Sequence, residues 1–254
     1  MALQTATRAT RKPPHDSLPT SRKNRQVEKA LARDLNRIVN AIRHELPDYR
    51  LSKTTELDAR VRPLLTPYVL ATLRKHMTDS YSLGIDYLTS LPGLRNIPGY
   101  VTRSDLEIVK GLADSYSIRF WNRVSKVLSA ENTITLNYVK GSATSLLNAN
   151  YIVNSLAIGA TNEPLNLATV TKARVLTGVP ALLLTNVAIA QLDDFTFDLP
   201  LELELVAEWR TSMDDRVCQI CEDLEGEYRL DEQVPQPVED SHPNCRCRIL
   251  IEGA

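Results

Sequence analysis

The sequence predicts a mainly α protein, with a helical N-terminal and central region followed by a small C-terminal α+β module. Three observations predict it. Leu, Ala, Val and Arg are abundant while only nine glycines and three phenylalanines occur among 254 residues, a composition rich in unbranched side chains that lose little rotamer freedom in a helix. Apolar residues recur at helical spacing over most of residues 21–192. After Asp193 the texture changes to alternation and acidity, and all four cysteines lie in the last 37 residues.

The first element follows a Thr/Arg/Pro-rich segment, residues 1–20, which carries only one acid, Asp16. It lacks the apolar stretch of a secretory signal, and Pro13 and Pro14 interrupt any amphipathic helix there, so a disordered basic arm is expected. From about Ser21 to Leu46, Val27, Leu31, Leu35, Ile38 and Ile42 fall on one stripe of a helix that Pro47 ends. A second helix is expected to open at the capping box Thr55 to Asp58. It directs Leu65, Tyr68, Leu73, Met77, Tyr81 and Leu88 inward, with Pro63 and Pro67 disturbing its first turns.

Residues 93–99 read as a loop. Ser104 and Glu107 form another capping box, behind which Leu106, Val109, Leu112, Tyr116, Phe120, Val124 and Val127 keep helical spacing to about Ser129. Two more helical patterns cover 143–159 and 165–192, with Pro164 just ahead of the second and Pro180 inside it. No apolar stretch reaches the ~20 residues needed to span a bilayer. Leu201, Leu203, Leu205 and Ala207 then alternate with Glu202, Glu204, Val206 and Glu208, the period of a half-buried strand. The expected domains are therefore a basic arm at 1–20, a helical domain at 21–192 and a small module at 193–254.

Charge is divided just as sharply. Residues 1–62 hold fourteen Lys/Arg against seven Asp/Glu, and residues 193–254 hold five against seventeen, although the whole chain carries a net charge of only −1. Different partners are expected at the two ends, the basic front being suited to an acidic surface or to nucleic acid. The module itself is too acidic and too poor in large apolar residues to build its own core, and a unit of that kind usually needs a metal or disulfides.

Its cysteines supply candidates in the order Cys218-x2-Cys221, twenty residues, then His242-x2-Cys245-x-Cys247. Zinc takes four soft or borderline ligands in a tetrahedron, and each x2 pair can bring two of them to one ion. Cys218, Cys221, His242 and Cys245 are the expected ligands of a single structural Zn2+, with Cys247 a fifth candidate that can take the place of Cys245 or pair by oxidation. Four protein ligands close the coordination sphere, so the metal would serve folding and not catalysis.

Enzymatic readings fit the same residues poorly. A zinc deaminase needs His-x-Glu and Pro-Cys-x-x-Cys, whereas Asn244 follows two after His242 and Val217 precedes Cys218. No HExxH occurs, and His15, His44 and His76 lie in no catalytic motif. Asp214 and Asp215 read as a turn or cap. A nucleic-acid-reading zinc ribbon is disfavoured because residues 214–252 hold eleven acids and four arginines, a surface that repels phosphate.

Trp209, Thr211, Asp214, Arg216, Val217, Cys218, Cys221, Leu224, Gly226 and then His242-Pro243-Asn244-Cys245-Arg246-Cys247, taken in order, resemble the C-terminal signature of the Mu F-like minor head, or head morphogenesis, proteins of tailed bacteriophages. The match covers roughly the last fifty residues. The resemblance implies a structural, non-enzymatic minor capsid protein, inside the capsid or at the portal vertex of the virion and assembled in the host cytoplasm. Its implied partners are the portal protein, the major capsid or scaffold protein, and packaged DNA met through the basic N-terminal region, with no membrane and no small-molecule substrate. The alternative reading is a zinc-stapled nucleic-acid-binding or adaptor protein. Within the motif, Trp209 is expected to pack over the metal knuckle, Gly226 to need a positive φ, and Arg246 to pair with Asp214 or Asp215.

Overall fold

A computed structural model of the chain describes residues 20–45, 57–92, 94, 99–137, 149–177, 205–211, 217–243 and 245–253. Four long helices carry most of it: α1 (Ser21–Glu45), α2 (Arg62–Ser90), α3 (Arg103–Asn137) and α4 (Ala149–Leu176). A three-stranded antiparallel sheet follows, made of β1 (Leu205–Arg210), β2 (Gly226–Arg229) and β3 (Arg248–Gly253) in the order β2-β1-β3, with the short α5 (Gln219–Asp223) between β1 and β2. The mainly helical class with a small strand-bearing C-terminal part is therefore the observed one. No helix among the described residues is long and apolar enough to cross a membrane. Residues 1–19 and the boundary near residue 192 lie outside the described residues.

α1 begins and ends where its stripe predicts, and Leu31, Leu35, Val39 and Ile42 are buried at 2% exposure or less. A π-helical turn, Leu57–Val61, leads into α2, and Asp58 pairs with Arg62 at 3.1 Å. Thr55 and Glu56 lie outside the described residues. Pro63 sits at the start of α2, where its missing N–H costs nothing, while Pro67 falls inside the helix.

Leu73, Met77, Tyr81 and Leu88 point inward as expected, but Tyr68 is 63% exposed. The true stripe runs through Val69, Leu73, Met77 and Tyr81 in steps of four, which leaves Tyr68 about 100° away from it. Leu106 departs in the same manner, exposed while Val109, Ala113, Tyr116 and Phe120 are buried.

The cap of α3 lies two residues earlier than the Ser104–Glu107 reading. Thr102 N–H donates to Asp105 Oδ2 at 2.8 Å and Asp105 N–H donates to Thr102 Oγ1 at 3.3 Å. Burial decides between the two frames. Asp105 is 2% exposed and also receives Lys172 Nζ at 2.7 Å and Tyr81 Oη–H at 2.8 Å, whereas Glu107 stays in solvent beside Lys110. The Lys172 and Thr102 hydrogen bonds outweigh burial and hold the Asp105 carboxyl below its usual range.

The two helical patterns at 143–159 and 165–192 are one helix over Ala149–Leu176 that runs through Pro164. Residues 143–148 and 178–192, Pro180 included, lie outside the described residues. A proline inside a helix costs about 3 kcal/mol, which a surface helix would relieve by breaking. α4 is instead buried nearly all round, with Val153, Ala157, Ala160, Thr161, Asn166, Ala168, Val170 and Ala173 all at or near zero exposure, so tertiary packing holds it continuous.

α2 and α4 approach closely at Gly84. A Cβ built on Gly84 would lie 2.4 Å from the Leu165 carbonyl oxygen and 2.8 Å from Ala168 Cβ. Since backbone cannot yield cheaply, Gly84→Ala is expected to push the helices apart and cost roughly 1–3 kcal/mol, read as a lower midpoint in urea unfolding. An unchanged midpoint would mean that the two helices are not packed at this spacing.

Two cores result. The first is wholly helical and joins Leu31, Leu35, Leu73, Met77, Tyr116, Phe120 and Ala157. The second combines Leu88, Leu94, Val170 and Ala173 of the helical region with Trp209, Cys221, Cys245, Cys247, Ile249 and Ile251. The C-terminal part, too acidic to enclose itself, thus completes its core on the ends of α2 and α4.

Candidate metal centre

Each ligand candidate is placed by a short local structure. Cys218 is the extended residue preceding α5 (φ −93°, ψ 160°) and Cys221 lies within that helix, so the x2 spacing puts both on one side of its first turn. On the other arm the Cys245 N–H donates to the His242 carbonyl at 2.9 Å, closing a tight turn between the two candidates. Cys247 follows just ahead of β3. β1 pairs with both β2 and β3, Trp209 facing Gly226 on one edge and Ile249 on the other, and this pairing brings the two arms together.

The five predicted ligands fall into two triads. Cys218, Cys221 and His242 lie with their donor atoms within 4.8 Å of one another, and so do Cys221, Cys245 and Cys247. The two triads meet at Cys221, and among the described residues they do not merge into one group of four. The sulfurs of Cys221 and Cys245 are 3.8 Å apart. Zinc–thiolate bonds of about 2.3 Å in a tetrahedron put neighbouring sulfurs about 3.8 Å apart. None of the four cysteines forms a disulfide. These cysteines can hold a metal ion.

Electrostatics give the same indication. The Cys247 thiol, the Ser241 hydroxyl and the amides of Cys247 and Val238 all serve Cys245, and against the effect of burial they hold it down at about 5. Burial and the Cys245 thiolate push Cys221 up to about 12, and Cys247 is raised by its hydrogen bond to Cys245 and by burial. One thiolate is therefore stabilised and its neighbours stay protonated, because like charges this close repel. A dication reverses that balance, since it rewards each further thiolate.

One side of the site is dry and partly strained, while Cys218 and His242 are half-buried. Cys221, Cys245 and Cys247 are exposed by 2% or less, and Trp209 is enclosed completely in the same cluster. Val238 has φ 81°, the sole non-glycine residue with positive φ among those described. A β-branched side chain is costly there, yet the conformation lets its N–H reach Ser241 Oγ at 3.1 Å and support Cys245. Gly226, expected to need such a φ, instead opens β2 with no left-handed backbone and open space where a Cβ would go. The positive φ falls at Val238 because the long loop bends around the cysteines there.

Residues outside the motif complete the site, and sequence reasoning did not identify them. Asn162 Nδ2 donates to the carbonyls of Cys245 (3.0 Å) and Cys247 (2.9 Å). Asn166 Nδ2 donates to Cys247 O at 3.3 Å, while its Oδ1 accepts the Ile249 N–H at 2.9 Å. Two asparagines four apart on α4 thus act as a strand edge for the Cys245–Ile249 backbone. Their signal was an Asn-x3-Asn pair in an otherwise apolar helix, where buried amides must find partners from elsewhere. Arg174, 2% exposed, donates likewise to the carbonyls of Leu230 (2.9 Å) and Glu232 (2.6 Å).

Arg246 pairs with Glu28 of α1 at 3.1 Å. Asp214 and Asp215, its expected partners, lie outside the described residues, as do Arg216 and Asn244. Arg248 is fully buried beside the same features, and burial pushes its guanidinium down to about 10 against the favourable charges of Glu28 and Cys245. His76, read as an ordinary histidine, is 4% exposed and bonds Asp34 at 2.9 Å, remote in sequence from the cysteines. Comparison with family models, curated proteins and solved structures produced no match to this chain.

Proposed function

We propose that the chain is a structural minor head, or head morphogenesis, protein of a tailed bacteriophage, whose C-terminal lobe is stapled by one zinc ion. Cys218, Cys221 and His242 would supply three ligands, with Cys245 or Cys247 the fourth. The metal would supply cross-linking between the two arms of the lobe. The chain's own residues fix everything around it: Asn162 and Asn166 hold the backbone of the second arm, Val238 and Ser241 donate to Cys245, and Trp209 with Ile249 and Ile251 excludes water.

The observation that carries this reading is that the string His242 to Cys247, on which the resemblance rests, folds back onto the Cys218–Cys221 arm, His242 meeting Cys218 and Cys221 while Cys245 and Cys247 meet Cys221. A site with more protein donors than a tetrahedron needs leaves no coordination position for substrate, which favours a structural role. As a virion component the chain would meet the portal and the major capsid or scaffold protein.

Mass spectrometry of purified virions from a phage encoding this chain tests the reading. A few copies per particle, together with co-purification of the chain with the portal protein from infected cells, are expected. Complete virions free of the chain, with no portal association, would overturn it.

A further inference from the structure

We infer that the outward face of α1 binds the phosphate backbone of a nucleic-acid duplex without reading its bases. The inference deepens the head-protein reading, whose resemblance implies DNA at the basic N-terminal region, and it rests on how charge is sorted around this one helix.

α1 contains seven Lys/Arg and three Asp/Glu. An ordinary solvated helix mixes the two signs on its exposed face, where carboxylates four residues from a base stabilise it. Here the two acids in the body of the helix are drawn inward. Glu28 turns to Arg246 at 3.1 Å, and its side chain is 19% exposed. Asp34, 22% exposed, gives one oxygen to His76 at 2.9 Å, and its other oxygen lies 3.1 Å from Arg37 and 3.7 Å from Arg33. One carboxylate cannot neutralise both arginines, whose side chains remain 73% and 66% exposed.

Arg22, Lys23, Arg25, Lys29, Arg33 and Arg37 are all exposed, and Gln26 and Asn40 between and beyond them are neutral. Arg22, Gln26, Lys29, Arg33, Arg37 and Asn40 follow steps of 4, 3, 4, 4 and 3, so they share one face. Arg22 to Arg37 spans roughly 22 Å at 1.5 Å per residue, enough to track several phosphates of a duplex that carries one charge per ~1.7 Å of its axis.

A protein partner would call for a different face. Specific protein interfaces are anchored by buried aromatic or aliphatic side chains with charge at the rim. No large apolar side chain is among the exposed ones of α1. Lacking such an anchor, and presenting six Lys/Arg with no exposed carboxylate between Arg22 and Arg37, the face suits a polyanion held through counterion release.

Fluorescence anisotropy of the full chain with 20-base-pair DNA and RNA duplexes of two unrelated sequences, over a range of salt concentrations, tests this. Binding to either duplex type is expected, equal for the two sequences, with log K falling steeply as log salt rises. A variant carrying Arg22→Gln, Lys23→Gln, Lys29→Gln and Arg33→Gln should weaken binding on the order of a hundredfold or more at 0.1 M salt. It should also flatten the salt slope by about 3. A control with Arg103→Gln and Lys110→Gln on α3 should bind as the parent does. Circular dichroism verifies that each variant keeps its helices. Absence of duplex binding, a slope near zero, equal loss in the control, or binding to polyglutamate in place of duplexes would overturn the inference.

Discussion

Cys221→Ser is expected to abolish metal binding and to unfold the C-terminal lobe. Cys221 belongs to both donor triads, so no choice of fourth ligand rescues the site without it. Structural zinc sites contribute on the order of 10 kcal/mol to folding, comparable to the whole stability of a typical domain at 5–15 kcal/mol. Metal analysis should drop from one zinc per chain to none, and limited proteolysis should open new cuts between residues 205 and 253. Most of the helical signal should survive, because the first core contains no residue of the lobe. The ends of α2 and α4 should loosen, because Leu88, Val170 and Ala173 lose their partners in the second core. Cys247→Ser beside it separates the ligand sets: full metal content assigns the fourth place to Cys245, and loss assigns it to Cys247. A Cys221→Ser protein with one zinc and unchanged proteolysis would refute the staple.

Asn166→Ala should destabilise the protein by roughly 2–4 kcal/mol, though the residue touches no predicted ligand atom. Its amide both donates to Cys247 O and accepts from Ile249 N–H, and it is wholly buried. Removing it strands a buried backbone donor, and each orphan of that kind costs about 1–3 kcal/mol. Because Asn162 shares the Cys247 carbonyl, the double substitution should not be additive. Urea unfolding with zinc held in excess measures both effects. An Asn166→Ala midpoint equal to the parent's would show that the lobe is not held to α4 through these amides.

The stripe of α1, the helical class and the gathering of the five metal-binding candidates were legible because each depends on local spacing: steps of three and four for a helix, x2 for paired ligands. What escaped depends on long-range packing. The Asp105 cap frame was chosen by Lys172 and Tyr81 arriving from other helices, and Pro164 stays within α4 because that helix is enclosed on all sides. Tyr68 and Leu106 were misplaced by a single position each, an error of about 100° that periodicity cannot resolve when neighbouring residues are also apolar. Asn162 and Asn166 were visible as an Asn-rich helix, but their partners lie more than 80 residues away.

The Glu28–Arg246 pair joins positions 218 residues apart. While the chain is being synthesised, α1 emerges long before the segment that neutralises its inward acid, and closing so large a loop is entropically slow to begin. Glu28 therefore lacks this partner until the segment around Arg246 has emerged, although the apolar stripe of α1 can already seat in the all-helical core. A chain truncated ahead of Arg246 would display an unsatisfied carboxylate where the longer one displays a sealed seam.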